Sequence, residues 1–387
     1  MSNIHLDHIS VSPLLPEVQE AMIEVIRDFK GNPSSQNVAG ELAAEKLEKA
    51  RQSVADLINC DPREVVFVSG GTESINMAVK GVARANVEKG KHIVTSNIEH
   101  NAVNRSVKRL MHLGWKATSV AVNDKGRVDP DEVANAIRED TILVSIMHSN
   151  NEIGTLQPID EIAKITKEKK VLLHTDAVDS VGVIPFDVQQ VGADLVSFAS
   201  NPYYGPTGVG ALYIRKGSRI WPIIDGGVQE HNRRAGTENL IGIVGMGVAA
   251  ELAKRDMDRR VAHLKKLKAL LIKELPNYID EYYVNGDIDT SLPNLLSVSV
   301  RYVEGESLLL MLEDAGYTVS TRSACATGSL RASHVLMSIG LDHADAQGTL
   351  VITPGIGNTE DDILGFLNAL KDIVKSLRDI SPLYKNR

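Results

Sequence analysis

Short apolar runs alternate with helical patterns between residues 64 and 215, and this alternation restricts the possible folds more than any other feature. The runs are rich in Val, Ile and Leu and read as buried strands at residues 65–68, 92–95, 142–147, 171–174 and 195–198. Helical patterns lie between them, near residues 73–82, 102–113, 130–137 and 159–167. Strands that alternate with helices form βαβ units. The sequence therefore predicts an α/β fold whose mostly parallel sheet is covered by helices on both faces.

A second region follows a long helical pattern at residues 241–275. It contains a β-like run at 294–300, helical patterns near 306–315 and 360–378, and the segment 318–328 between them. We interpret it as a smaller α/β domain packed beside the first and joined by the extreme N-terminus. The predicted division is a large domain at residues 14–250 and a small domain made of residues 1–13 and 251–387.

The composition argues against two kinds of partner. The chain of 387 residues has a net charge of −8, whereas a nucleic-acid surface needs clustered Lys and Arg to neutralise phosphates. A membrane-spanning helix needs about 18 or more consecutive apolar residues, and the sequence has no such run. The first residues also lack a basic segment followed by an apolar one. We expect a globular cytoplasmic protein that binds neither nucleic acid nor membranes.

Polar clusters follow four of the predicted strands, at residues 69–74, 99–103, 147–154 and 174–177. In the first cluster, Gly70 and Gly71 stand at a helix start, where exposed N–H groups and the helix dipole favour a phosphate. Taken alone, this cluster also fits an ordinary glycine turn with Thr72 as a helix cap. Ligands of parallel sheets bind at the carboxyl ends of the strands, where all four clusters would meet. Together they predict one ligand site.

These clusters, with Gly-Asn-Pro-Ser-Ser at 31–35 and Arg-Ala-Gly-Thr-Glu-Asn at 234–239, resemble the signatures of NifS/IscS-type cysteine desulfurases. Their order and spacing match over essentially the whole chain. The resemblance implies a fold-type I architecture of pyridoxal phosphate (PLP)-dependent transferases, and a homodimer with active sites near the subunit interface. It assigns Gly71 and Thr72 to the PLP phosphate, His100 to stacking on the ring, Asn151 to the ring hydroxyl, Asp176 to the ring nitrogen and Thr237 to the phosphate of the neighbouring subunit.

The sequence departs from the family at the residues that hold the cofactor. Pro202 stands where the family has the lysine that attaches PLP, and Asn201 replaces a histidine beside it. Ala199 replaces a serine that would contact the phosphate, and Asp179 replaces a glutamine expected near the ring hydroxyl. We keep Asp179 and Ser200 in the predicted cofactor-binding set. Because proline has no amine, PLP would be held without a covalent bond.

The predicted substrate side has also changed. Val351 and Ile356 occupy two positions where the family has arginines that grip the substrate carboxylate. A charge-assisted hydrogen bond contributes about 1.5–3 kcal/mol, which an aliphatic side chain cannot supply. The missing lysine would also have moved a proton, and general acid–base catalysis contributes about 10²–10⁴ in rate. We therefore predict no useful desulfurase turnover.

One reactive group of the family is retained, the cysteine of the segment at residues 319–328. Cys325 resembles the loop cysteine that takes sulfur as a persulfide and passes it on, and Arg322 replaces a glycine three residues before it. A nearby guanidinium favours the thiolate, the nucleophilic and metal-binding form. The alternative is a small buried residue, which is how we interpret Cys60.

Three functions are consistent with this pattern. In the first, the protein is a degenerate desulfurase of iron–sulfur assembly that docks an IscU-type scaffold and offers Cys325 as cluster ligand or sulfur relay. A cluster usually takes four ligands, so Cys325 would share it with the partner. The tail at 381–384 resembles the family's scaffold-contacting tail. The second is an active desulfurase with non-covalent PLP, and the third a regulatory subunit of an active paralogue.

Overall fold

The computed structural model describes residues 3–28, 30–321 and 332–385. The strands are β1 Ile4–His5, β2 Val65–Val68, β3 His92–Ser96, β4 Lys116–Val120, β5 Thr141–Ser145, β6 Leu172–Asp176, β7 Leu195–Ala199, β8 Gly210–Ile214, β9 Tyr282–Asn285, β10 Leu296–Val300, β11 Tyr317–Thr318, β12 Ser320–Thr321 and β13 Thr349–Ile352. The helices are α1 Pro16–Asp28, α2 Val38–Ile58, α3 Gly71–Ala85, α4 Asn101–Met111, α5 Pro130–Ala136, α6 Ile159–Glu168, α7 Val188–Val191, α8 Gln229–Asn232, α9 Leu240–Glu274, α10 Gly305–Asp314, α11 His334–Ser338, α12 His343–Gln347, α13 Glu360–Ile380 and α14 Pro382–Lys385.

The main sheet of the described chain has seven strands in the order β2-β8-β7-β6-β5-β3-β4. β4, β3, β5, β6 and β7 run parallel to one another, and β8 is antiparallel to both of its neighbours. The predicted α/β class with a mostly parallel sheet is therefore confirmed. Each predicted strand is present, and the sequence reading missed β4 and β8.

Both faces of this sheet are covered, as the apolar runs predicted. In β2, Val65 and Phe67 belong to one buried apolar cluster and Val66 and Val68 to another. This division follows from the alternation of side chains along a strand. The first cluster includes residues of α2 and α9, and the second includes residues of α3 and α4. The carboxyl ends of the parallel strands are left to form the site.

A second sheet, with the order β12-β13-β10-β9, is antiparallel and has its own apolar core. Leu6 from the start of the chain lies in this core, and β1 pairs in parallel with β11. The helix α9 joins the two cores, because Leu240 belongs to the first and Leu267 to the second. It is continuous through residue 250, where the predicted domain boundary lies. The division into two domains stays a prediction.

Across the described ranges, no helix combines the length and the apolar character that crossing a membrane requires.

Candidate functional site

A cavity of about 380 Å³ lies at the carboxyl ends of the parallel strands. Its lining includes most of the residues that the sequence predicted for the cofactor. The described lining residues are Ile9, Ser10, Gly71, Thr72, Ile75, His100, Asn151, Asp176, Val178, Asp179, Ala199 and Asn201. Neighbouring strands β3, β5, β6 and β7 end here, so the predicted meeting of the polar clusters is found in the structure.

The start of α3 forms one wall of the cavity. The residue before the helix, Gly70, has a φ of +150° and makes no capping side-chain hydrogen bond. Thr72 lies inside the first turn and is exposed, so it does not act as the helix cap. A Cβ atom on Gly71 would lie 2.6 Å from Cγ2 of Val178, which explains the need for glycine there. Backbone N–H groups at such a helix start can hold an anion such as a phosphate.

Asp176 is the last residue of β6 and is only 6% exposed. Its Oδ1 accepts a hydrogen bond of 3.1 Å from the backbone N–H of Val178. Burial raises the pKa of the Asp176 carboxyl, while the nearby His100 and this hydrogen bond act in the opposite direction. A carboxyl group in this position could hold a proton on a ring nitrogen.

His100 caps α4 with its own side chain. Its Nδ1 accepts a 3.1 Å hydrogen bond from the backbone N–H of Ala102. A ring nitrogen that accepts from an N–H group carries no proton, so in the neutral ring the proton is on Nε2. The cap thus fixes both the orientation and the tautomer of this half-buried ring in the cavity wall.

Glu99 is a neighbour of the cavity that the sequence reading did not single out. It is completely buried, and its Oε1 accepts hydrogen bonds from Ser96 Oγ at 2.6 Å and from the N–H of Met147 at 3.0 Å. Burial raises the pKa of Glu99 to about 8, with Asp176 adding to the shift. Glu99 is therefore a neutral acid at pH 7. The available signal was a carboxyl residue in the polar cluster that begins three residues after β3.

His174, in the cluster that contains Asp176, lies within the sheet layer and not in the cavity wall. Its ring forms hydrogen bonds with Ser145 Oγ at 2.8 Å and Ser197 Oγ at 2.9 Å, and Ser74 of α3 donates to Ser197 at 2.8 Å. Burial lowers the pKa of His174 to about 3, so the ring is neutral. This polar chain ties α3 to three strands and so fixes the helix start.

The segment that should supply a lysine has none. Asn201 lines the cavity, and Pro202 is buried in a short 3-10 helix, Asn201–Tyr203. Within the described lining there is no lysine and no arginine. Ser200 is fully buried and is not among the described lining residues, and a Cβ added at Gly205 would lie 1.9 Å from its Oγ, so its predicted cofactor contact stays a prediction. The strand β7 ends at Ala199, which faces the cavity, and the chain turns at Ser200 into the 3-10 helix, where Asn201 again lines the cavity.

The two arginine positions are filled by aliphatic side chains. Val351 is completely buried in β13, in an apolar cluster with Val183, Leu292 and Leu295. Ile9, which lines the cavity, packs against the same cluster. The backbone N–H of Ile356 donates to Tyr204 Oη at 2.8 Å. No described side chain at either position could bind a carboxylate.

Thr237 is exposed and lies beside a separate cavity of about 110 Å³, together with Glu230, Arg234 and Glu238. Arg234 pairs with Glu73 of α3 at 2.9 Å, which links this loop to the helix start. The predicted contact of Thr237 with a neighbouring subunit stays a prediction.

Of the two cysteines, only Cys60 lies among the residues that the structure describes. Cys325 and Arg322 lie outside the described residues. Cys60 follows α2 and is half-buried, and burial raises its pKa to about 12 with help from nearby acids. Such a thiol does not ionise at neutral pH, which agrees with the structural role predicted for it. The described residues contain no group of three or more His, Cys, Asp or Glu side chains that could hold a metal ion.

Another cavity of about 380 Å³ lies at the opposite edge of the sheet, with Lys89, Arg138, Lys169 and Lys170 in its lining. Lys169 and Lys170 follow the end of α6, and Lys89 lies just past the end of α3. Cations at helix C-termini stabilise the helix dipole. We therefore place the functional site at the carboxyl edge.

A mostly parallel sheet, with a helix start that could hold a phosphate and a buried carboxyl at the neighbouring strand ends, matches the fold-type I architecture of PLP-dependent transferases. The sequence matches the family described as Aminotransferase class-V over residues 4–365. The chain belongs to this family.

Its relatives include cysteine desulfurases. It is 48% identical over 379 residues to cysteine desulfurase IscS of Dictyoglomus turgidum, covering 98% of this chain and 96% of that one. It is 45% identical over 380 residues to cysteine desulfurase IscS of Methanosarcina thermophila, covering 98% and 94%. The solved structure of a NifS-like protein superposes with a TM-score of 0.91 at 38% identity, covering 97% of this chain and all of that one. The resemblance read from the sequence is confirmed.

Proposed function

We propose that this protein is a cytoplasmic cysteine-desulfurase-like component of iron–sulfur cluster assembly that has no useful desulfurase turnover of its own. The observation that carries the proposal is the cavity, which keeps the cofactor side of a PLP site but has the buried Pro202 in place of the lysine.

The residues present fit PLP without a covalent bond. The N–H groups at Gly71 and Thr72 would hold its phosphate, Asp176 its ring nitrogen, His100 its ring face and Asn151 its ring hydroxyl. The cofactor, when bound, supplies an electron sink. The described lining of the cavity offers no lysine amine to attach it or to move a proton there.

Substrate binding is weakened at the same time. A cysteine substrate would bring a carboxylate to a wall where Val351 is packed among Leu292 and Leu295. An unpaired charge is costly to bury beside aliphatic side chains. Loss of the amine and loss of the carboxylate anchor together support a non-catalytic role.

In the proposed role, Cys325 binds a cluster or carries sulfur together with a partner protein. We propose a homodimer that docks an IscU-type scaffold, with Cys325 as a cluster ligand or sulfur relay. The tail that would contact the scaffold is ordered against the rest of the chain, because the ring of Tyr384 in α14 lies 5.7 Å from that of Tyr302 and 5.4 Å from the guanidinium carbon of Arg378.

The test is co-purification with an IscU-type scaffold, followed by reconstitution with iron and sulfide. We expect the absorbance of a cluster in the complex, and its loss in Cys325→Ser. Cys60→Ser is the matched control and should leave the absorbance unchanged. Cluster absorbance that survives Cys325→Ser would exclude the ligand role. The relay role is tested separately with an added low-molecular-weight persulfide: its outer sulfur should move to the Cys325 thiolate with release of the donor thiol, and mass spectrometry should find it there.

An alternative function is an active desulfurase with non-covalently held PLP. The naming of its relatives as cysteine desulfurases and the grouping of His100, Asn151 and Asp176 in one cavity favour it. It requires release of sulfide from cysteine and PLP by the purified protein, with loss of that release in Asp176→Ala. We expect none from the wild type.

A further inference from the structure

The charge of the cavity is unusual for a site that takes a phosphate-bearing ligand. The acidic side chains in its described lining are Asp176 and Asp179, and His100 is the other titratable side chain there. No Lys or Arg of the described lining offsets the ligand's phosphate, so the start of α3 provides the positive end of the site. A ligand that brings a positive charge of its own is favoured in such a cavity.

We propose that the cavity selects the amine form of the cofactor, pyridoxamine 5′-phosphate, over the aldehyde form, and that Asp179 binds its ammonium group. This inference rests on the proposed retention of a cofactor site of this type. Within that site, Asp179 is the residue that distinguishes the amine form of the cofactor from the aldehyde form.

Asp179 is placed to reach the ligand. It lies three residues after Asp176, in the loop that follows β6, and lines the same cavity. The loop is packed against the start of α3, because Val178 Cγ2 would be 2.6 Å from a Cβ at Gly71. A carboxylate has about four acceptor positions, so Asp179 can accept an ammonium alongside its other contacts.

The missing lysine gives the same preference. With Pro202 buried beside Asn201, the aldehyde form has no described amine in the lining to bond with. The amine form carries its own ammonium group. The ligand therefore supplies the positive charge that the described lining lacks. An ammonium and a carboxylate form a charge-assisted hydrogen bond, whereas a neutral aldehyde oxygen faces a carboxylate with no donor between them.

Calorimetric titration of protein freed of cofactor by dialysis tests the inference. We expect pyridoxamine phosphate to bind the wild type at least about tenfold more tightly than pyridoxal phosphate, which corresponds to about 1.4 kcal/mol. Asp179→Asn keeps the shape but removes the charge, and should abolish this preference. Asp314→Asn makes the same change on the exposed side of α10 and should retain it.

The outcomes separate the inference from the function on which it rests. Equal or tighter binding of pyridoxal phosphate to the wild type overturns the selection, and so does a preference that persists in Asp179→Asn. The wild-type ratio decides even if that variant fails to fold. Binding of neither form overturns the cofactor site as well, whereas sulfide release from cysteine overturns only the non-catalytic function.

Discussion

Arg51 and Glu230 form a bidentate ion pair inside the protein, in which each terminal guanidinium nitrogen of Arg51 lies 2.7 Å from a carboxylate oxygen of Glu230. The two side chains are 2% and 1% exposed. Glu230 also accepts the N–H of Phe67 at 2.7 Å, and Arg51 donates to the carbonyl of Val65 at 3.0 Å. The pair therefore ties α2 and β2 to residues 229–232, which directly precede the loop that carries Thr237.

This ion pair holds a strained backbone. Glu230, His231 and Asn232 have φ values of +46°, +57° and +64°, a left-handed conformation that is unfavourable for residues other than glycine. Such strain persists only where surrounding contacts fix it. We expect Arg51→Met to lower the free energy of unfolding by about 3–5 kcal/mol, since it leaves a buried carboxylate unpaired. Urea unfolding followed by circular dichroism measures the change.

The control for this prediction is Arg255→Met, because Arg255 pairs with Asp256 at the surface with 63% of its side chain exposed. Its expected effect is below about 1 kcal/mol. A similar loss in both variants would contradict the role of the buried pair.

The raised pKa of Glu99 predicts that stability depends on pH in the wild type and that this dependence is absent in Glu99→Gln. Its pKa in the folded protein is about 8, whereas the ordinary value is 4.5, so the folded state holds a proton that the unfolded state releases. The stability that depends on this proton is fully present below pH 4.5 and is lost as the pH rises through 8. In that window, we expect wild-type stability to fall relative to Glu99→Gln by about 1.4 kcal/mol per pH unit. Unfolding at several pH values measures the difference, and parallel curves would contradict it.

Pro202→Lys should restore covalent attachment of PLP. Residue 202 adjoins Asn201 in the cavity wall, so a lysine side chain there can reach the bound aldehyde. After incubation with PLP and reduction with borohydride, mass spectrometry of the digested protein should find a stoichiometric pyridoxyl label at position 202 of the variant, whereas the wild type should carry only the scattered, substoichiometric labels that an aldehyde leaves on surface lysines. Pro382→Lys, at the exposed start of α14, is the matched control and should give no stoichiometric label. A stoichiometric label at one lysine of the wild type would contradict the proposed non-catalytic role.

Val351→Arg should destabilise the protein, although it restores a family residue. The guanidinium would enter the cluster that contains Leu292 and Leu295 without a described partner. An uncompensated buried charge costs about 3–5 kcal/mol of the free energy of unfolding. Val38→Arg, on a position that is 73% exposed, should change it by less than about 0.5 kcal/mol. Unchanged stability of Val351→Arg in thermal unfolding would show that the cluster admits a charge.

The strands that the sequence predicted are those that are buried on both faces. β4 was missed because it is an edge strand with exposed Lys116 and Ser119, so it lacks a continuous apolar run. β8 is apolar but follows β7 without an intervening helix, which breaks the alternation on which the reading depended.

The site was predictable where its residues lie at or near the carboxyl ends of strands, as Asp176 does at the last position of β6 and His100 does shortly after β3. Ile9 was not, because it reaches the cavity from the first residues of the chain and packs with Val351, which is far away in sequence. The pKa of Glu99 likewise depends on complete burial at the end of β3, a property of packing that a single sequence does not carry.

The helix α9 runs unbroken from Leu240 to Glu274 and reaches from the first core into the second. Along this connection there is no loop that could act as a hinge, and a long helix bends only gently without a proline or a bulge. Rotation of the first core relative to the second would require α9 to bend. We therefore expect adjustment to different ligands to occur at the rim of the cavity, and not by closure of the two cores onto each other.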